Sequence, residues 1–314
     1  MKSVNQISMS AILMAAAFLF AGCEKENEST VDNQPVKARI TSTIEGMATR
    51  AAGTAWAAGD RIGVYATNMP GELVLVNAPY ITTEGNGEFT AEGEDFYFKD
   101  REKVAFMAYY PFEGDDGTLP GTGGIISKTI TAADQTPDTQ PKIDYLFAAQ
   151  ITANSANPNV QFRFDHCMSR IVLNFLPGDG ITTLDDIDYT LDGIVLAGTF
   201  HTLIGSAVAD DATPAAPLAM SVPGSATTEL TSALIFFPQR SDAEKTLTLR
   251  MRGTDYSATF KFKQNPKNGN VRELAAGHSY IYNVKINNTS MTISPATIAG
   301  WGEGGSENID STTN

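Results

Sequence analysis

Cysteine is nearly absent from this chain: Cys23 and Cys167 are the only two in 314 residues. Stability therefore has to come from packing, which a 42% hydrophobic composition can supply. Histidine is almost as scarce. His166, His201 and His278 are the full set, and none stands at metal-ligand spacing from another His or from Cys. Gly-x-Ser-x-Gly, His-Glu-x-x-His and a phosphate-cradling loop are missing. Gly121-Thr122-Gly123-Gly124 and Gly302-Glu303-Gly304-Gly305 are glycine-rich, but neither opens a helix, so both read as loops. Basic charge is short too: 22 Lys and Arg stand against 36 Asp and Glu, a formal −14. Phosphate binding needs clustered basic residues, so nucleic acid is not an expected partner. The apolar run Ala11 to Ala21 is too short for a bilayer, reaching ~16 Å as a helix against a hydrocarbon core of ~30 Å.

That run follows Lys2 and ends in Leu19-Phe20-Ala21-Gly22-Cys23. A basic start, a short apolar stretch and small residues before a cut describe a secretory signal over residues 1–22. Small residues followed by Cys resemble a bacterial lipobox, where Cys23 would carry acyl chains such as palmitate and become the mature N-terminus. An ordinary signal peptide with an incidental Cys is the plainer alternative. Glu24-Lys25-Glu26-Asn27-Glu28 resembles the acidic tract that routes lipoproteins of the Bacteroidota to the outer face of the outer membrane; a solvated tether has the same composition. Either way, residues 23–50 form a leader between lipid and fold. Acidity disfavours anionic lipid as an electrostatic partner, so the acyl chains would do the anchoring. If Cys23 is acylated, Cys167 has no disulfide partner.

The remainder reads as β almost throughout, in short alternating segments bounded by Gly, Pro, Asn and Asp. Val36 to Ile44 puts Val36, Ala38, Ile40 and Ile44 on one face. Leu247, Leu249 and Met251 face opposite Thr246, Thr248 and Arg250, as a half-buried strand requires. No helical period runs beyond a turn or two. Many short strands with Gly/Pro punctuation predict sandwiches rather than one parallel sheet, and Asn154 to Asn159 is the expected boundary. Asp115-Asp116, Asp185-Asp186 and Asp210-Asp211 sit in turn-like contexts and read as turn chemistry.

Four segments stand out: Trp56 to Tyr65; Phe162 to Phe175; Leu274 to Ile286; and the closing Ile293, Ile298 and Gly300-Trp301. In this order, behind a lipobox-like signal, they resemble the fimbrillin family of the Bacteroidales, the type V pilins. The resemblance runs from about Trp56 to Trp301. It implies two tandem transthyretin-like β-sandwich domains, here 51–157 and 158–314. It also implies export as a lipoprotein, then cleavage after an Arg by a trypsin-like surface protease. The cut removes a first strand, and a C-terminal strand of the next subunit fills the groove.

Parts for that mechanism are present. Arg50 lies among small residues in Ala48-Thr49-Arg50-Ala51-Ala52, and the strand Val36 to Ile44 lies between the lipid site and Arg50. Met291 to Ile298 is the donor candidate, with Met291 and Ile293 on one face and Ile298 on the other; Pro295 withholds one ladder N–H. Expected partners are other copies of the chain, other fimbrial subunits, the protease and the outer membrane. No cofactor, metal or catalytic residue is assigned, and the chain is not expected to be an enzyme. Two other classes stay open. One is a lipid-anchored adhesin or glycan-binding module, including a fimbrial tip or anchor subunit, with Phe96-Tyr97-Phe98 and Tyr109-Tyr110 as aromatic platforms. The other is a hydrolase with carboxylates from separate loops. Asp310-Ser311-Thr312 resembles the O-glycosylation motif of the phylum.

Overall fold

Alternation in the sequence becomes alternation in burial. Along Asn159–His166, Val160, Phe162, Phe164 and His166 point inward while Asn159, Gln161, Arg163 and Asp165 face out. The computed structural model describes residues 34–45, 55–265 and 268–301, and the chain divides into residues 1–34 and a unit from Pro35 onward. Among the described residues the fold is all β, with two short 3-10 turns at Ala132–Gln135 and Gln140–Lys142 and no α-helix.

Seven strands close into a barrel. Its order is Asn159–His166, Arg39–Ile44, Glu88–Ala91, Leu73–Ile81, Arg61–Thr67, Val104–Tyr110 and Leu146–Ala153, which pairs back to Asn159–His166. Every pairing is antiparallel except one: Arg39–Ile44 runs parallel to Asn159–His166. The interior holds Ile40, Ile44, Trp56, Ile62, Phe89, Phe106, Phe162 and Phe164. Closure leaves no strand without a neighbour on each side, although the short strand Glu88–Ala91 pairs with only two residues each of Arg39–Ile44 and Leu73–Ile81.

The C-terminal part is a sandwich. A sheet built on Ser169–Pro177, His278–Ile286 and Leu230–Phe236 packs over one built on Ile187–Ile194, Ala216–Val222, Lys245–Met251 and Thr254–Phe260. Phe175, Leu191, Leu234, Leu247, Tyr282 and Val284 lie between them.

A third apolar cluster joins these two bodies. Arg61–Thr67 and Val104–Tyr110 are buried on both faces. Their inner residues line the barrel, while Tyr65 and Tyr109 look outward to a small sheet of Ile125–Thr129, Ala197–His201 and Ser206–Ala209. Burial on both faces explains why these two segments read as near-continuous apolar runs. Tyr145 stacks on Phe200 with ring centroids 4.6 Å apart. Two buried glutamines act as one-residue strands. Gln135 donates to the Ile235 carbonyl (2.7 Å) and accepts from the Ile235 N–H (2.9 Å). Gln239 does the same for Val195, at 3.1 and 3.0 Å. Gln135 thus satisfies both backbone groups of Ile235 on the edge strand Leu230–Phe236, where Gln140 also donates to the Ala233 carbonyl at 2.6 Å.

Two pairings bear on where any seam between halves runs. Asn159–His166 lies beyond the expected boundary at 157 yet completes the barrel, and Ile125–Thr129 pairs with Ala197–His201 across it. The next turn, Cys167-Met168, carries the chain into the sandwich strand Ser169–Pro177. Phe162 to Phe175 is therefore two strands of different sheets.

Candidate assembly site

The leader strand fills a slot in the barrel. Val36–Lys37 pairs with Tyr97–Phe98, and Lys37 Nζ lies 2.7 Å from Asp95. Arg39–Ile44 then pairs residue by residue with Asn159–Phe164 on one side and, on the other, at Ile40–Phe89 and Thr41–Glu88, with the Ser42 N–H donating to the Gly87 carbonyl just beyond. Ala38, Ile40, Ser42 and Ile44 point inward and are buried; Arg39 and Thr43 are exposed. The slot ends with charge. Glu45 donates its N–H to the Phe164 carbonyl at 2.8 Å, and its carboxylate pairs with Arg163 and Asp165. Burial, and then Glu45, push the Asp165 carboxyl up to about 6, while hydrogen bonds from Asp165 and Arg163 hold Glu45 below its ordinary value.

Beyond Glu45 the chain re-enters the description at Ala55, and Trp56 plugs the barrel. Its indole meets Phe89, Tyr110 and Phe164 edge-on at 5.2–5.3 Å. The turn behind it is tied by Ala57 N–H to Asp60 (2.7 Å) and Tyr110 O–H to Asp60 (3.1 Å). Trp56 thus packs on Phe89 and Phe164, which also pair with Ile40 and Ile44 of the leader strand. Arg50 falls in residues 46–54, outside the described residues, as do Cys23 and Asp310 to Thr312.

The C-terminal candidate is seated on its own sheet. Met291–Ile293 pairs with Val284–Ile286, and Thr297–Gly300 pairs with His278–Ile281. The single strand expected from Met291 to Ile298 is thus two, and the facing of Ile298 is corrected. Between Ile293 and Thr297 lie three residues, but only Tyr282 and Asn283 lie between their partners Ile281 and Val284. One extra residue, around Pro295, makes a bulge and reverses the alternation. Ile298, opposite Tyr280, therefore shares the core-facing side with Ile293, opposite Val284, and Met291, opposite Ile286. At the bulge, Ser294 N–H donates to the Asn283 carbonyl (2.9 Å) and Ser294 Oγ accepts the Asn283 N–H (3.0 Å).

Trp301 ends this segment in a clamp. His166 stacks on one side, the Arg170 guanidinium lies 5.2 Å from the ring centre, and Arg170 also donates to the Trp301 carbonyl at 2.9 Å. His166 is itself held by Asp144 at 2.9 Å. Sequence reading singled out the segments that hold Trp56 and Trp301 but missed Ser42, Gly87 and the Glu45–Asp165–Arg163 group, whose members come from distant stretches.

Asp210 caps Ala212 and Thr213 in its own turn. Asp185 and Asp186 instead reach across the fold to accept the Ala226 and Gly224 N–H groups, and Asp185 pairs with Arg252 at 2.6 Å, so these two join separate loops. Of the aromatic platform candidates, Phe98, Tyr109 and Tyr110 are buried and Phe96 packs on Phe98 and Phe106; Tyr97 alone stands out, at 48% exposure. Among the described residues no group of three or more His, Cys, Asp or Glu could hold a metal ion.

A family model described as fimbrillin-like matches residues 49–301. The chain belongs to the fimbrillin-like family. A relative from Bacteroides uniformis, named as the fimbrium subunit Fim1C, is 30% identical over 310 residues, covering 94% of this chain and 95% of its own. A crystal structure of a protein from Bacteroides ovatus, described as a cell adhesion protein, is 35% identical with a TM-score of 0.74, covering 85% of this chain and 98% of the other. A second such structure, from Bacteroides uniformis, shares the fold at 24% identity and a TM-score of 0.64, over 84% of this chain and 99% of that one. This fimbrillin-like chain therefore carries its leader slot and C-terminal clamp within a family of fimbrial and cell-adhesion proteins.

Proposed function

We propose that this fimbrillin-like chain is a structural subunit of a surface fimbria that polymerises by strand exchange. One observation carries the reading: the leader strand Arg39–Ile44 is the sole parallel member of an otherwise antiparallel barrel, and on one side it is held only by two ladder pairs and the Ser42 N–H bond to Gly87. Removing it would open the barrel between Asn159–His166 and Glu88–Ala91 and expose an apolar trough with unpaired N–H and C=O groups. An added strand repairs both, backbone bonds giving affinity and alternate side chains giving register. Repeated head to tail, such contacts do not close and so build a fibre.

In this reading Cys23 is the lipid attachment site, and a trypsin-like surface protease cuts after Arg50 in the stretch between leader and Trp56. Acyl chains hold the precursor on the outer membrane. Met291, Ile293 and Ile298 supply the apolar row of the donor, which has to leave His278–Ile286 and the Trp301 clamp first. The two halves implied by the family resemblance would meet at Cys167-Met168 rather than at 157.

The test is limited trypsin digestion of the purified precursor, with N-terminal sequencing, size-exclusion chromatography and electron microscopy. Cutting at Arg50 is expected to release the leader and permit filaments, while Arg50→Ala leaves monomer. If the cut protein stays monomeric at high concentration, the non-polymerising anchored adhesin takes the place of the pilin. Cys23→Ala is expected to abolish labelling by a fatty-acid analogue.

A further inference from the structure

The inward row of the leader strand contains one polar residue. Ala38, Ile40 and Ile44 are apolar, but Ser42 is buried among them, and its Oγ has no hydrogen-bond partner among the described residues. Its surroundings explain why. Phe162 sits opposite it in the parallel ladder. On the other side its N–H donates to the Gly87 carbonyl at 2.8 Å. Gly87 has φ +83, and a Cβ there would lie 2.4 Å from the Ser42 carbonyl oxygen and 3.7 Å from Trp56 Cδ1. The barrel interior that Ser42 faces is apolar, with Ile40, Ile44, Phe89, Phe162 and Phe164 buried there.

The unpaired polar atoms concentrate here. Five buried side-chain polar atoms lack a partner among the described residues, and three of them belong to Ser42, Trp56 and Thr82. Thr82 is tied by its backbone to Gly59 and Asp60, in the turn behind Trp56. Buried hydroxyls in the rest of the chain include paired ones, such as Tyr65 with Thr202 and Tyr189 with Ser232.

We propose that Ser42 sets how readily the leader gives up its slot, making the leader a deliberately poor occupant. A buried hydroxyl without a partner has lost its water and gained nothing, so it weakens the bound state and is relieved on release. A strand bringing an apolar residue to this position does not carry that penalty. The row Met291, Ile293 and Ile298 has no hydroxyl. Choice between leader and donor is then a difference of affinities, with the unfavourable element built into the competitor. The inference rests on the exchange reading above.

The experiment follows the leader fragment after trypsin cleavage of the full chain, with N-terminal sequencing to establish the cut and mass spectrometry of size-exclusion fractions to measure retention. Ser42→Ala and Ser42→Val are expected to lengthen retention about tenfold, while Thr43→Ala, on the exposed face, leaves it unchanged. Ser42→Ala is also expected to raise the denaturation midpoint of the uncut protein. Equal retention in wild type and both Ser42 variants overturns the proposal and leaves strand exchange standing. A lower midpoint in Ser42→Ala means the hydroxyl has a partner and also overturns it. A wild-type leader that never leaves sinks the exchange reading and this proposal together.

Discussion

The imidazole of His166 lies flat on the indole of Trp301, with centroids 4.6 Å apart and planes 13° from parallel. His166 ends a barrel strand and Trp301 ends the C-terminal segment, so one ring contact ties the barrel to the last described turn of the chain. Arg170, from the sandwich, approaches the same indole.

Trp301→Ala should therefore loosen the C-terminal segment. Truncating a buried aromatic costs about 3 kcal/mol or more. A lower urea midpoint and earlier proteolysis between Ser290 and Trp301 are expected. An unchanged cleavage pattern would show that strand pairing alone holds the segment.

Leader retention should depend on pH through Asp165. Its carboxyl is raised to about 6 in the folded chain from an ordinary 3.8. A raised carboxyl means the folded state favours the proton, so this contribution is full below 3.8 and is lost as pH rises through about 6. Glu45, held low, acts in the opposite sense and weakens the site only when pH falls below its ordinary value of 4.5. The cut leader is expected to stay longer near pH 5 than at pH 7.5. Asp165→Asn should flatten that difference, measured as leader retained on size-exclusion chromatography.

Gln135 satisfies both backbone groups of Ile235 from inside a 3-10 turn. Gln135→Leu fills similar space but strands a buried N–H and C=O. A loss of about 2 kcal/mol is expected by chemical denaturation, with faster hydrogen exchange along Leu230–Phe236. A variant as stable as wild type would mean the edge strand finds other partners.

Cys167 is buried and unpaired, and burial raises its thiol far above the usual range. A thiol held protonated and covered reacts slowly. Alkylation in the native state should be much slower than after denaturation, and Cys167→Ala should cost about 1 kcal/mol without changing assembly. An intermolecular disulfide on a non-reducing gel of native material would overturn this reading.

Alternating apolar residues and frequent turn formers already specify strands in this sequence, because a period of two sorts side chains onto two faces before any partner is chosen. That is why Asn159–His166, Ser169–Pro177 and Lys245–Met251 were legible. Local pattern carries no information about which strand lies beside which. The parallel seat of Arg39–Ile44 joins residues more than a hundred positions apart, and the pairing of Ile125–Thr129 with Ala197–His201 crosses the polar stretch that looked like a boundary. Counting by twos also failed at Pro295, where one extra residue turned Ile298 to the core face. Ser42 shows the same limit most sharply: its place in the leader's inward row follows from sequence, but its lack of a partner depends on the apolar barrel interior, which only the folded chain brings around it.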